Sequence, residues 1–168
     1  MHKLLNMTLT LLTLSSLMIV QPLWASANSG LVLVGKGQMS WMFFNLYQAH
    51  FYSQDGRYQA NRYPQALTLR YQKNISQDEL IKATISEWQR LGIEYPSSWP
   101  QQLSRLWPSV KKGDELAIRV EPTGESRFYL NQAPLGDIAE PKFGPAFLAI
   151  WLSTNSQNST LTSQLKGD

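Results

Sequence analysis

A chain of 168 residues, with 43% hydrophobic and 16% charged residues, is sized for one domain with a substantial core. It has no cysteine, which excludes disulfides, a thiol nucleophile, an iron–sulfur centre and cysteine-ligated zinc. The net charge of +3 is too weak to imply nucleic-acid binding by electrostatics.

Residues 1–27 have the layout of a secretory signal peptide. Lys3 supplies the positive start, Leu9 to Val20 the apolar stretch, Pro22 ends it, and Ala25-Ser26-Ala27 is a small-x-small cleavage site. The stretch is short and interrupted by Thr10, Thr13, Ser15 and Ser16, which disfavours a stable membrane anchor. Cleavage after Ala27 would leave residues 28–168 as a single domain, exported to a periplasm where cysteine is dispensable. Of the two histidines only His50 would then remain, so no multi-histidine metal site is expected.

In chain order, Leu31 to Val34 is a short apolar run, and Gly35-Lys36-Gly37 reads as a turn closing it. Met39, Trp41 and Phe43 alternate with Ser40, Met42 and Phe44, which predicts a strand covered on both faces. Asn45 marks a bend, and Tyr47, Ala49 and Phe51 alternate along the next strand. A polar loop runs to Pro64, and Leu67, Leu69 and Tyr71 mark a third strand. Ser76 and Glu79 form a capping box ahead of Ile81, Ile85, Trp88 and Leu91 at helical spacing, with Gly92 as the stop. A second helix is predicted over Trp99 to Leu106. Leu116, Ile118 and Val120 alternate on a strand, Pro122 to Glu125 turns it, and Phe128 and Leu130 return. Helices over 142–152 and Leu161 to Leu165 complete the chain. The order is three strands, two helices, two strands, two helices. It predicts an α+β fold, an antiparallel sheet packed against a layer of helices.

Gly35-Lys36-Gly37 lacks the length and the following helix of a phosphate loop. A general base at His50 competes with an ordinary half-buried strand histidine. Arg57-Tyr58, Arg62-Tyr63 and Arg70-Tyr71 pair cations with aromatics, but an export signal and a weak net charge argue against nucleic acid. The aromatic load is the stronger clue. Trp41, Phe43, Phe44, Tyr47, Phe51 and Tyr52 on strands would face Trp88, Phe147 and Trp151 on helices. They form either a filled core or an apolar cleft, with Tyr47 as its polar group.

Four blocks resemble the chalcone isomerase-like family: Gly35-x-Gly37 through Tyr47 to Tyr52, Trp88 to Ile93, Pro122-Thr123-Gly124 after an apolar strand, and Phe143 to Leu152, the last of which, with Lys112-Gly113-Asp114 ahead of it, resembles the bacterial exported branch. The resemblance implies an open-faced β-sandwich with a ligand cleft between sheet and helices. In the plant enzymes of the family an arginine, a threonine, a tyrosine and an asparagine act on a chalcone. Here the threonine position falls on Tyr47, the tyrosine on Ser76 and the asparagine on Ala83, and the arginine region reads Gln38-Met39-Ser40 with Lys36 the nearest cation. Loss of an oxyanion contact removes roughly 3 kcal/mol of transition-state stabilisation. The implied function is therefore non-catalytic binding of a small amphipathic ligand such as a fatty acid, with Tyr47 and Lys36 as binding residues and no cofactor or metal. An intramolecular lyase using the same two residues, with no catalytic residue assigned further, and a protein-interaction module with a filled core are the alternatives.

Overall fold

The computed structural model describes residues 25–168, so most of the expected signal peptide lies outside the described residues. Among the described residues the chain forms six strands and four helices. They are β1 (Val32–Trp41), β2 (Phe44–Ser53), β3 (Gln65–Tyr71), α1 (Gln77–Arg90), α2 (Ser98–Leu106), β4 (Glu115–Val120), β5 (Ser126–Leu130), β6 (Ala133–Ile138), α3 (Phe143–Leu152) and α4 (Ser159–Lys166). The strands make one antiparallel sheet in sequential order. The predicted α+β architecture is what the structure has.

The expected turn at Gly35-Lys36-Gly37 is instead the middle of β1, which continues through to Trp41. The glycines serve a different need. A Cβ on Gly35 would overlap the carbonyl oxygen of Gln164, and one on Gly37 would come within 2.6 Å of Leu161 Cδ1. α4 therefore rests directly on the backbone of β1, at a distance that side chains would forbid. The expected two-sided burial of residues 39–44 also fails. β1 and β2 form a hairpin whose tip, Trp41 to Phe44, stands in solvent.

β6 has no counterpart in the sequence reading. Its residues include Pro134, Gly136 and Asp137, which are poor strand formers. It is an edge strand, bonded only to β5, where a missing amide donor costs little.

α1 begins as predicted: Ser76 accepts from the Glu79 amide while the Glu79 carboxylate accepts from the Ser76 amide. The buried stripe is Leu80, Thr84 and Trp88, one position off the Ile81–Ile85 spacing, with the isoleucines on its flank. Trp88 is fully buried, donates from Nε1 to the Ala146 carbonyl at 3.0 Å and packs edge-on against Trp99 and Phe143. Edge-to-face contacts continue through Phe128, Phe147 and Trp107, joining α2, α3 and the sheet. Each such pair is worth about 0.5–1.5 kcal/mol beyond its burial. On the other face of the sheet, Ala27 and Leu31 pack near Ala66, Ala117 and Tyr129. Arg119 Nη1 fastens that segment by donating to the carbonyls of Ala27 and Ser29, at 3.1 and 2.8 Å.

Candidate functional site

Between the sheet and the helices lies a cleft of about 380 Å³, a size ordinary for small-molecule sites. Its floor is the inner face of the sheet: Met39 from β1, Tyr47 from β2, Leu69 and Tyr71 from β3 and Leu116 from β4. Period-two alternation places these side chains together, since Met39, Tyr47 and Tyr71 are paired straight across three strands. α1 adds Leu80, Ala83, Thr84 and Glu87, spaced to share one helical face. α3 adds Phe147, Ile150 and Trp151, and α4 closes one side with Leu161. Of the strand aromatics expected to face the helices, Tyr47 and Phe51 do, with space left beside Tyr47, whereas Phe43 and Phe44 stand in solvent and Tyr52 packs on the other face of the sheet. Trp88 stays in the core and does not line the cleft.

Tyr47 is inside the cleft, as its alternation with Ala49 and Phe51 predicted. Its oxygen accepts a 2.9 Å hydrogen bond from Trp151 Nε1, and its ring meets Tyr71 edge-on at 5.7 Å. Burial pushes the Tyr47 hydroxyl up to about 12, the Trp151 bond opposes this, and Glu87 adds to the rise. The group is thus a neutral phenol at working pH. Its oxygen is already an acceptor, so its proton is available for something in the cleft. Burial likewise raises Tyr71 above the usual phenol range, next to Tyr47. Trp107 also lines the cleft, with its Nε1 buried away from the open space and without a partner among the described residues. Trp151 as the partner of Tyr47, and Tyr71 as a further neutral group beside it, are site residues that alternation alone did not single out.

The carboxylates of the lining are engaged. Glu79 belongs to the capping box, where bonds from the Ser76 hydroxyl and amide hold it below the usual carboxylate range. Glu87 accepts two bonds from Arg90, at 2.7 and 3.0 Å. Among the described residues no lysine, arginine or histidine lines the cleft.

Lys36 is not part of this site. The register pairs Lys36 with His50 and Gly37 with Ala49. Because Ala49 and Tyr47 face the helices, Lys36 and His50 face the opposite side of the sheet. Lys36 as a binding residue beside Tyr47 requires the turn expected at Gly35-Lys36-Gly37, and the strand in its place removes that possibility. His50 stacks on Tyr52 there, and desolvation lowers its pKa, as do Lys36 and Arg70 against the opposing pull of Glu115. It is a sheet-face histidine remote from the cleft. Ser76 and Ala83 have the roles their chemistry allows, a helix cap and a small residue in the cleft wall.

Comparison with known proteins agrees with this geometry. The family described as chalcone isomerase-like matches residues 19–167. A protein of Haemophilus influenzae described as uncharacterized is 29% identical over 136 residues, covering 80% of this chain and 67% of that one. The crystal structure of a fatty-acid binding protein from Arabidopsis thaliana superposes with a TM-score of 0.63 at 10% identity, covering 89% of this chain and 95% of that one. That likeness is one of fold.

Proposed function

The chain belongs to the chalcone isomerase-like family, and we propose that it acts as a non-catalytic binding protein for a small amphipathic, lipid-like ligand. The observation that carries this reading is an apolar cleft whose polar groups, apart from the engaged Glu79 and Glu87, are uncharged, with Tyr47 foremost. The name of the Arabidopsis neighbour points to the same ligand class. A carboxylate buried without a cation is strongly disfavoured. The favoured ligand therefore has an uncharged acceptor at its polar end: a fatty acid in its protonated form, or a neutral relative such as a long-chain alcohol. The same lack of a cation weighs against the intramolecular lyase, because Tyr47 and Lys36 lie on opposite faces of the sheet and cannot share an oxyanion. The open volume weighs against a filled core.

Tyr47→Phe tests the reading. A hydrogen bond from a buried neutral donor is worth about 0.5–1.5 kcal/mol, and stranding the acceptor of a buried ligand adds to it, so affinity for a fluorescent long-chain alcohol should fall on the order of tenfold. Equal affinity in both proteins would remove Tyr47 from the site.

We further propose that the protein is exported to the periplasm, with residues 1–27 removed. The support is the sequence pattern. The bond from Arg119 to Ser29 would survive the cut and the bond to Ala27 would not. Intact mass of the periplasmic protein should correspond to a chain starting at Asn28; a full-length product retained in the membrane would overturn the proposal.

A further inference from the structure

The β1–β2 hairpin ends in four successive apolar residues that no described residue covers: Trp41, Met42, Phe43 and Phe44 are 62, 71, 96 and 64% exposed. Gln72 bonds to the carbonyl of Leu46, and beyond that bond the hairpin has no partner on the β3 side among the described residues. At strand rise the tip projects about 10 Å past the sheet. The turn holds Met42 at φ 54, left-handed backbone where glycine or asparagine is ordinary and a large apolar side chain is not.

Three further observations say what fits this tip. Four side chains on a two-stranded point offer less than the roughly 800 Å² per partner of a stable protein interface. An apolar point rich in aromatics suits the interfacial layer of a bilayer, where no matching surface is needed. Next, Lys73 follows β3 and Lys111 and Lys112 precede β4, so they lie at the same end of the sheet. They are exposed and form no ion pair among the described residues; of the acids at that end, Glu79 and Asp114 are held by backbone amides, Glu115 is paired with Arg70, and Asp78 lies in the first turn of α1. Finally, Trp41 belongs to both the tip and the lining of the cleft.

We propose that the hairpin tip is a membrane-docking element. Trp41, Met42, Phe43 and Phe44 seat in the interfacial layer of a phospholipid bilayer, while Lys73, Lys111 and Lys112 face anionic headgroups. Docking is peripheral, and among the described residues no helix is long and apolar enough to cross a membrane. A docked tip would put the mouth of the cleft at the lipid surface, giving a lipid-like ligand a dry route in; that route rests on the binding function proposed above, and the docking does not.

The test is co-sedimentation with vesicles of mixed phosphatidylethanolamine and phosphatidylglycerol, and with vesicles of phosphatidylcholine alone. The wild-type protein should sediment with the anionic vesicles. Phe43→Ser, and Met42→Ser with it, should weaken partitioning on the order of tenfold or more. Neither residue lines the cleft or supports the core, so thermal stability and ligand affinity should stay at wild-type values. Lys111→Glu with Lys112→Glu should weaken binding to the anionic vesicles. Tyr47→Phe should sediment as wild type, which separates failure of docking from failure of the ligand reading. Wild-type protein that stays in the supernatant, or a Phe43→Ser variant that binds equally well, would overturn the proposal. So would a dimer that Phe43→Ser dissolves without any vesicle binding, since the tip would then belong to a second copy of the chain.

Discussion

Gly35→Ala is expected to destabilise the protein by about 3 kcal/mol, at the top of the usual range for overpacking. The added methyl would meet the carbonyl of Gln164 head-on, with the Leu165 oxygen at 2.9 Å and the Gln164 carbonyl carbon at 3.0 Å. These are backbone atoms of a helix and cannot rotate aside. α4 must then lift from β1, and Leu161 would leave the cleft wall with it. Chemical denaturation measures the loss, and ligand affinity should fall in parallel. A variant within about 0.5 kcal/mol of wild type would mean that α4 does not rest on β1 as described.

These glycines also show where sequence reading stops. A Gly-x-Gly run has the local chemistry of a turn, and nothing near it in the chain announces that a helix some 130 residues later will lie across it. The misplaced turn then misplaced Lys36, because only a loop could bring that side chain to Tyr47. The hairpin tip escaped for a related reason: alternation within Met39–Phe44 reports a strand, but exposure depends on how far neighbouring strands extend, and β3 stops short of it. β6 carries proline and glycine that only its edge position excuses.

Local signals fared better where one element fixes its own geometry. The Ser76–Glu79 box set the start of α1, and Gly92, at φ 67, sits just past its end. Alternation in β2 put Tyr47 on the helix-facing side, and helical spacing in 142–152 brought Phe147 and Trp151 opposite it. The bond from Trp151 to Tyr47 joins residues 104 apart and was beyond such rules.

The charge of the ligand is the property that the proposed site discriminates most sharply. Tyr47 remains a phenol across ordinary pH, Glu79 is held below the usual carboxylate range, and no cation among the described residues lines the cleft. His50, whose pKa is lowered, is on the other face of the sheet. The pH dependence of binding should therefore come from the ligand. A fatty acid that binds only when protonated gains affinity as pH falls toward its own carboxyl range, by about tenfold per pH unit. The alcohol of the same chain length has nothing to titrate.

Titrating the two fluorescent ligands into the wild-type protein across this range tests the account most directly. The alcohol should bind saturably, one per chain, with the same dissociation constant throughout. The acid should bind on the order of a hundredfold more tightly at about pH 5 than at about pH 7. Tight, pH-independent binding of the acid would require a cation in the cleft, and no saturable binding of either ligand would leave the cleft without the function proposed for it.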